Sequence, residues 1–155
     1  MHEYNVTIDW TGAAQAGTTD YKAYTRDYDV LIEGKPTIGG SSDPNYKGDA
    51  SRHNPEDMLV ASVSACHMLW YLHLCAVGGV VVVAYTDRAV GRLSTNKDGS
   101  GEFERVILRP RVTITPGSDA DKARDLHHKA SELCFIARSL KCPIDHEPEI
   151  VLAGD

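Results

Sequence analysis

Two of the four cysteines stand in contrasting surroundings. Cys66 lies inside an almost uninterrupted apolar run over residues 58–77, whereas Cys134 lies in a later stretch with helical spacing. On an ideal helix three cationic residues would fall within about 40° of Cys134: His127, Arg138 and Lys141. The sequence therefore predicts one enclosed thiol and one solvent-reachable thiol beside cations. Two such thiols are what a cysteine-based peroxidase requires.

The apolar neighbourhood of Cys66 allows two interpretations. Burial among apolar side chains makes a thiol inert, so Cys66 could be an ordinary core residue. To act as a nucleophile, it needs a nearby cation that favours the thiolate. An arginine held by a carboxylate would supply this at every relevant pH, and it would also offer several hydrogen-bond donors to an oxygen-containing substrate.

The other two cysteines do not suggest a metal site, and they differ in whether they could react with Cys66. Cys75 lies nine positions after Cys66, about 180° around a helix, so Cys75 is interpreted as a core residue. Cys142, next to Pro143, is an additional thiol that leaves open which downstream cysteine reacts. Cysteine and histidine spacings do not match zinc sites, and no metal or cofactor is predicted. His67 is interpreted as a satisfied histidine of the core or of an interface.

Composition limits the classes of protein and partner. The 155 residues, 42% of them hydrophobic, are typical of one domain spanning residues 1–155. A net charge of -6 without a run of like charges argues against nucleic acid and membrane surfaces as partners, and favours small molecules or other protein chains. The first residues lack the pattern of a secretory signal, so a cytoplasmic location is expected.

The elements that must position these residues follow from periodicity. Residues 3–10 and 21–33 predict strands, followed by a long polar loop to His53. Asn54 is suited to cap a helix that has Pro55 at its first position. This helix should continue to about Val77, stop at the following glycines, and be buried on most sides. A membrane span is the competing interpretation of its apolar run, which the histidines inside the run disfavour.

Further strands and a second helix complete the pattern. Residues 80–93 and 102–115 predict two long strands joined by a hairpin turn, with Pro110 at an edge or bulge. Residues 119–140 predict a helix, and residues 147–153 a last strand. This order predicts an α+β fold in which antiparallel sheet wraps a long buried central helix.

Three motifs carry a resemblance to a known family. They are Asn-Pro-Glu-Asp-Met-Leu at 54–59, Ser-Ala-Cys-His at 64–67 and Glu-Leu-Cys-Phe-Ile-Ala at 132–137. Together they resemble the OsmC/Ohr family of osmotically inducible and organic hydroperoxide resistance proteins, with a similar element order over nearly the whole chain. The resemblance implies an OsmC-like fold, an intertwined homodimer, and a role in stress response. It also implies reduction of organic hydroperoxides by a dithiol, often a lipoyl group, without metal or prosthetic group.

The resemblance also implies roles for individual residues. Cys66 would be the peroxidatic cysteine and Cys134 the resolving one, so that the two form a disulfide. Glu56 would be the carboxylate that holds an arginine, and Arg26 would be that arginine. Arg52, two residues ahead of the helix cap, is a rival for this role.

Helix geometry separates Glu56 from Cys66. Ten residues at about 1.5 Å each place them about 15 Å apart, on different faces of a straight helix. Either the helix bends or breaks between them, or Glu56 and its arginine complete the site of a facing subunit, and we favour the second. Four apolar residues are candidates for binding the organic part of a hydroperoxide: Met68, Leu69, Trp70 and Phe135.

Two other classes of function remain open. The fold could be a dimeric binding module for an apolar or electrophilic small molecule, with Cys66 either buried or used for covalent capture. A cysteine–histidine hydrolase would need a histidine beside Cys66 and an oxyanion hole, and no motif for the latter is visible.

Overall fold

The computed structural model describes residues 1–155 and divides into two compact units, Met1–Leu59 and Val60–Asp155. The first long helix, α1 (Pro55–Gly78), begins at the end of the first unit and continues into the second. The single domain expected over the whole chain stays a prediction.

The first unit is built on a three-stranded antiparallel sheet in the order β1-β2-β3. Its strands are β1 (Thr7–Trp10), β2 (Tyr28–Leu31) and β3 (Ile38–Gly40). The predicted strands are too long: residues 3–6 and 21–27 have turn or irregular structure instead. Strand β3 falls in the region expected to be a loop, since its two glycines have low strand propensity.

Helix α1 confirms the predicted start and end to within one residue. The side chain of Asn54 accepts a hydrogen bond from the Asp57 N–H at 2.8 Å, as expected of a cap. At the other end Gly79 has φ +77°, which glycine adopts without strain. The Val80 N–H then bonds to the Cys75 carbonyl at 3.0 Å and closes the helix.

Burial of α1 is narrower than predicted. Only one stripe at four-residue spacing is buried: Val63, His67, Tyr71 and Cys75. On other faces Leu69 and Val77 are 63% and 71% exposed, so the expectation of burial on most sides is wrong for the single chain. By length and mean hydropathy α1 would also be apolar enough to cross a membrane, a test that core helices of soluble proteins pass too.

The second unit contains two three-stranded sheets, in the orders β4-β7-β9 and β5-β6-β8. Their strands are β4 (Val82–Asp87), β5 (Val90–Thr95), β6 (Gly101–Leu108), β7 (Pro110–Ile114), β8 (Ile144–His146) and β9 (Glu149–Leu152). The pairs β4·β7 and β5·β6 are antiparallel, whereas β6·β8 and β7·β9 are parallel. The α+β class is therefore correct, but the sheets of this unit are mixed rather than wholly antiparallel.

Each of the two long strands predicted for residues 80–115 is divided in two by a corner. One carboxylate oxygen of Asp87, at the end of β4, accepts from the Arg109 N–H at 2.7 Å. The other accepts from the Ser64 hydroxyl of α1 at 2.6 Å. These bonds hold the corner against the helix, and Pro110 then occupies the first position of β7, where a strand tolerates proline.

The predicted second helix is also divided. Helix α2 (Ala120–Leu133) starts at Asp119, whose side chain caps it by accepting from the N–H groups of Asp121 and Lys122. Cys134 then adopts extended φ/ψ angles of −65° and 111°, and a short helix α3 (Phe135–Arg138) follows. The core of this unit lies between α1, α2 and the strands: Tyr71, Cys75, Val80, Val112, Ile114, Ala123 and Ala130.

Candidate active site

The structure brings Cys66 and Cys134 together. Cys66 projects from the middle of α1 and is partly exposed, whereas Cys134 lies between α2 and α3 and is fully buried. Cys66 lies close enough to Cys134 to affect the pKa of its thiol. The Cys134 sulfur also accepts from the Ala137 N–H at 3.4 Å. Burial, together with the neighbouring Cys66 thiol, raises the pKa of Cys134 to about 11.

The predicted cationic and solvent-reachable face around Cys134 does not exist. Helical geometry stops at this residue, so the cations are not arranged around it as on a continuous helix. His127 is buried, and burial lowers its pKa to about 3, which leaves it uncharged at neutral pH. Arg138 donates to the Glu132 carbonyl, and Lys141 pairs with Glu102 on β6.

An apolar surface lies one helical turn from Cys66. The rings of Trp70 and Phe135 meet edge to face with centroids 5.6 Å apart, and Phe135 is 65% exposed. A shallow cavity of about 260 Å³ is lined by Leu69, Trp70 and His73. Three of the four predicted apolar candidates therefore belong to this surface, which joins α1 to α3 beside the two sulfurs.

The remaining two cysteines have no such partner. Cys75 is 1% exposed within the core cluster, as predicted, and burial raises the pKa of its thiol. Cys142 is partly exposed in the segment between α3 and β8. All four cysteines are free thiols.

Glu56 lies in the first turn of α1, in the first unit. Burial and the charge of the Glu56 carboxylate raise the pKa of the Tyr28 hydroxyl, whereas the charge of Arg52 lowers it. The Tyr28 oxygen is buried without a hydrogen-bond partner. Arg52 is held by Asp29 at 3.2 Å and by backbone carbonyls, including that of Gly40 at 2.9 Å.

Arg26 is engaged by its own loop. Its guanidinium donates to the carbonyls of Tyr24 and Tyr21, both at 2.9 Å. The guanidinium carbon also lies 4.1 Å and 4.5 Å from the ring centroids of the same two residues. In this arrangement Arg26 is bound by carbonyls and aromatic rings rather than by Glu56, and its predicted role stays a prediction. Because α1 is continuous, a break between Glu56 and Cys66 is excluded.

Three histidines cluster beside Cys66, two of them buried and His146 partly buried, and the sequence pattern did not predict this cluster. His67 Nε2 and His127 Nδ1 are 3.0 Å apart, and the His146 ring lies 4.5 Å from that of His67. Tyr71 stacks on His127 with ring centroids 3.9 Å apart. His67 was expected to be satisfied, but its Nδ1 atom is buried without a partner, as are Nε2 of His127 and Nε2 of His146. The four-residue spacing of His67 and Tyr71 in the sequence of an apolar helix could have indicated that both side chains lie on one buried face.

Burial controls the charge of this group. It lowers the pKa of both His67 and His127 to about 3. It also lowers the pKa of His146, although the carboxylates of Asp145 and Asp87 oppose the effect. The three imidazoles are therefore neutral at pH 7. No three histidine, cysteine or carboxylate side chains of residues 1–155 are arranged as ligands for a metal ion.

The OsmC-like protein family matches residues 48–149, which is more than half of the chain. This chain belongs to the OsmC-like protein family. The predicted family is therefore confirmed, and the match includes Glu56, Cys66 and Cys134 but not Arg26. No curated protein matches the sequence.

Solved structures of this family share the fold. An OsmC-like protein of unknown function from Vibrio cholerae O1 biovar eltor is 31% identical, with a TM-score of 0.87, over 96% of this chain and 99% of that chain. Organic hydroperoxide resistance proteins from Elizabethkingia anophelis and Legionella pneumophila are 19% and 16% identical, each with a TM-score of 0.69. Both matches cover 97% of this chain, and 96% and 99% of theirs. The OsmC-like α+β fold is thereby confirmed.

Proposed function

We propose that this OsmC-like protein is a cysteine-based peroxidase that reduces organic hydroperoxides to alcohols. The observation that carries the proposal is the proximity of a partly exposed thiol, Cys66, and a buried one, Cys134. Two neighbouring thiols can pass through a sulfenic acid to a disulfide. The names of the two hydroperoxide resistance proteins with the same fold support the same chemistry.

In the first step the Cys66 thiolate attacks the hydroperoxide oxygen distal to the organic group. The O–O bond breaks, the alkoxide takes up a proton and leaves as the alcohol, and Cys66 becomes a sulfenic acid. Cys66 is suited to this step because it is the exposed member of the pair. No metal or prosthetic group takes part in the proposal.

In the second step the Cys134 thiol closes a disulfide with oxidised Cys66. The S–O bond of the sulfenic acid breaks, an S–S bond forms, and the hydroxyl departs as water with the thiol proton of Cys134. Since burial raises the pKa of Cys134 to about 11, this thiol stays protonated until its partner is oxidised. An external dithiol, such as a lipoyl group, then reduces the disulfide by exchange.

The Cys66 thiolate requires a cation, and we assign this role to Arg26 held by Glu56, with Arg52 as the rival. In the proposed enzyme these residues come from the facing subunit of a homodimer. Two observations support this arrangement: α1 is continuous through positions 56 and 66, and it leaves apolar residues such as Leu69 uncovered in the single chain. Removing Arg26 from its present carbonyls would be part of completing the site.

Mixed dimers test the shared site. One subunit carries Glu56→Ala and the other Cys66→Ser, so one of the two shared sites keeps both residues. About half of the wild-type activity is expected, whereas dimers carrying both substitutions in each subunit serve as the inactive control. Mixed dimers as inactive as that control would refute sharing.

Mass spectrometry and thiol counting test the peroxidase itself. One equivalent of cumene hydroperoxide should remove two free thiols and link Cys66 to Cys134. Dihydrolipoamide should then reduce this disulfide and restore both thiols. Cys142→Ser is the matched control and should leave this cycle unchanged. A protein that only binds an apolar or electrophilic molecule would not cycle, and a link involving Cys142 would refute the assignment of Cys134.

A further inference from the structure

The histidine pair, His67 and His127, joins the two segments that carry the reactive sulfurs. His67 directly follows Cys66 on α1, and His127 lies on the buried face of α2, which ends at the residue before Cys134. The two side chains are 1% and 2% exposed. Their rings lie within 8° of parallel, with His67 Nε2 and His127 Nδ1 at 3.0 Å.

Both tautomers of this neutral pair leave polar atoms unpaired. If His67 Nε2–H donates, His67 Nδ1 is a bare acceptor and His127 Nε2 carries an unused N–H. If His127 Nδ1–H donates, the two unused groups exchange their roles. Neither outer nitrogen has a partner, and leaving a buried polar group unpaired destabilises the folded state. Two apolar side chains would fill the same space without that cost, so packing alone does not account for the pair.

What the pair offers instead is a directional contact between α1 and α2. A hydrogen bond restricts both distance and angle, whereas apolar side chains tolerate sliding of one helix along the other. One turn further along, Tyr71 adds a second tie by donating to the Ala123 carbonyl at 2.8 Å. A disulfide accepts only a narrow range of separations between the two backbones. The register of α1 against the end of α2 therefore decides whether Cys134 can reach Cys66.

We propose that His67 and His127 are positioning residues for disulfide closure between Cys66 and Cys134. The inference rests on the proposed function, in which Cys134 displaces the sulfenic hydroxyl of Cys66 as water. The pair touches neither the peroxide nor the reacting atoms. Its effect falls on the second chemical step and on the equilibrium of the disulfide, and not on the oxidation of Cys66.

For each histidine, one substitution can keep the hydrogen bond of the pair and another removes it. Asn at position 127 has a terminal amide group near the site of Nδ1, and can keep the bond to His67, whereas His127→Leu removes it at similar volume. His67→Gln and His67→Leu form the corresponding pair, since Gln reaches the site of Nε2. These conservative variants separate loss of the hydrogen bond from loss of an imidazole ring.

The first measurement follows one turnover with cumene hydroperoxide. The sulfenic acid of Cys66 is trapped with dimedone at successive times, and disulfide is counted by mass. We expect closure to slow at least tenfold in His127→Leu and to stay within threefold of wild type in His127→Asn, with Cys66 oxidation within threefold in both. Unchanged closure in His127→Leu, or equal slowing in both variants, would overturn the proposal. If His127→Leu does not fold, the His67 variants decide by the same criteria.

The second measurement needs no peroxide. Equilibration with reduced and oxidised glutathione gives the stability of the Cys66–Cys134 disulfide through ordinary exchange, so it remains decisive even if the peroxidase activity is absent. A tenfold weaker disulfide is expected in His127→Leu, equivalent to about 30 mV. A purely structural role would lower Tm and leave this equilibrium where it is in wild type, which would also overturn the proposal.

Discussion

The proposed site has a sulfur half, Cys66 and Cys134, and a charge half, Glu56 and Arg26. The two halves differ in how complete they are within one chain. In the second unit the Cys66 and Cys134 thiols lie close together, and the buried histidine pair ties their helices together. In the first unit the guanidinium of Arg26 is bound by two backbone carbonyls and two tyrosine rings. A single chain thus holds the two thiols of the proposed redox couple near each other, whereas the guanidinium of its candidate activating cation, Arg26, is already bound elsewhere.

This difference distinguishes two kinds of requirement. Disulfide closure needs a short, fixed sulfur–sulfur approach, which packing inside one unit can supply. Stabilising a thiolate needs a charge that is free to face it, and a charge already satisfied elsewhere must first be released. The proposed homodimer would give that release a cause, since the facing subunit would offer Arg26 a new set of partners.

The largest expected effect comes from Arg26→Ala. Removing a charged donor that stabilises the thiolate and the departing oxygen should lower kcat/KM for cumene hydroperoxide about 100-fold or more. Arg52→Ala is the matched control, because it removes an ion pair with Asp29 whose side chains are 29% and 35% exposed, and it should leave kcat/KM within threefold. Steady-state kinetics with a lipoyl dithiol measures both. A larger loss of kcat/KM in Arg52→Ala than in Arg26→Ala would assign activation of the Cys66 thiolate to Arg52.

An intermediate effect is expected from Phe135→Ala. If the surface formed by Trp70 and Phe135 binds the organic group, kcat/KM should fall about tenfold for cumene hydroperoxide and remain unchanged for hydrogen peroxide. Leu93→Ala, at an exposed apolar residue of β5, is the control and should affect neither substrate. Equal losses for both peroxides would mean that Phe135 supports the fold and not the selection of substrate.

The parts of the fold that were predictable from the sequence depend on local chemistry. Asn54 and Pro55 mark the start of α1 and Gly79 marks its end, because each acts within a few residues of its own position. The pairing of Cys66 with Cys134 was implied by the family motifs rather than derived from spacing. The structure places the two thiols near each other, and their assigned roles stay a prediction.

The parts that could not be predicted depend on distant contacts. Apolar alternation continues through the strand corner at Asp87, and bonds from residues 23 positions earlier (Ser64) and 22 positions later (Arg109) hold that corner in place. The interruption at Cys134 has no glycine or proline to mark it, and helical spacing continues on both sides. The parallel pairing of β8 with β6, and of β9 with β7, likewise joins segments that are far apart in sequence.

The smallest expected effect is a loss of stability on acidification, which should be larger around the sulfur half than around the charge half. In the unfolded chain His67 and His127 titrate near pH 6.5, whereas burial lowers their folded pKa to about 3. The unfolded state therefore binds more protons as the pH falls below 6.5, and stability is lost on acidification. Each histidine should cost on the order of 1–2 kcal/mol between pH 7 and pH 5. Burial of His146 acts in the same direction, opposed by the carboxylates of Asp145 and Asp87.

Urea unfolding at successive pH values, combined with hydrogen exchange, measures this loss and locates it. Amides of α2 should lose protection between pH 7 and pH 5, whereas those of β1 and β2 should change less, since the first unit contains no buried histidine. His127→Asn removes one titrating ring and can keep the bond to His67, so it should flatten the dependence by about half. If the free energy of unfolding of this variant depends on pH as steeply as that of wild type, groups other than the buried histidines cause the loss of stability.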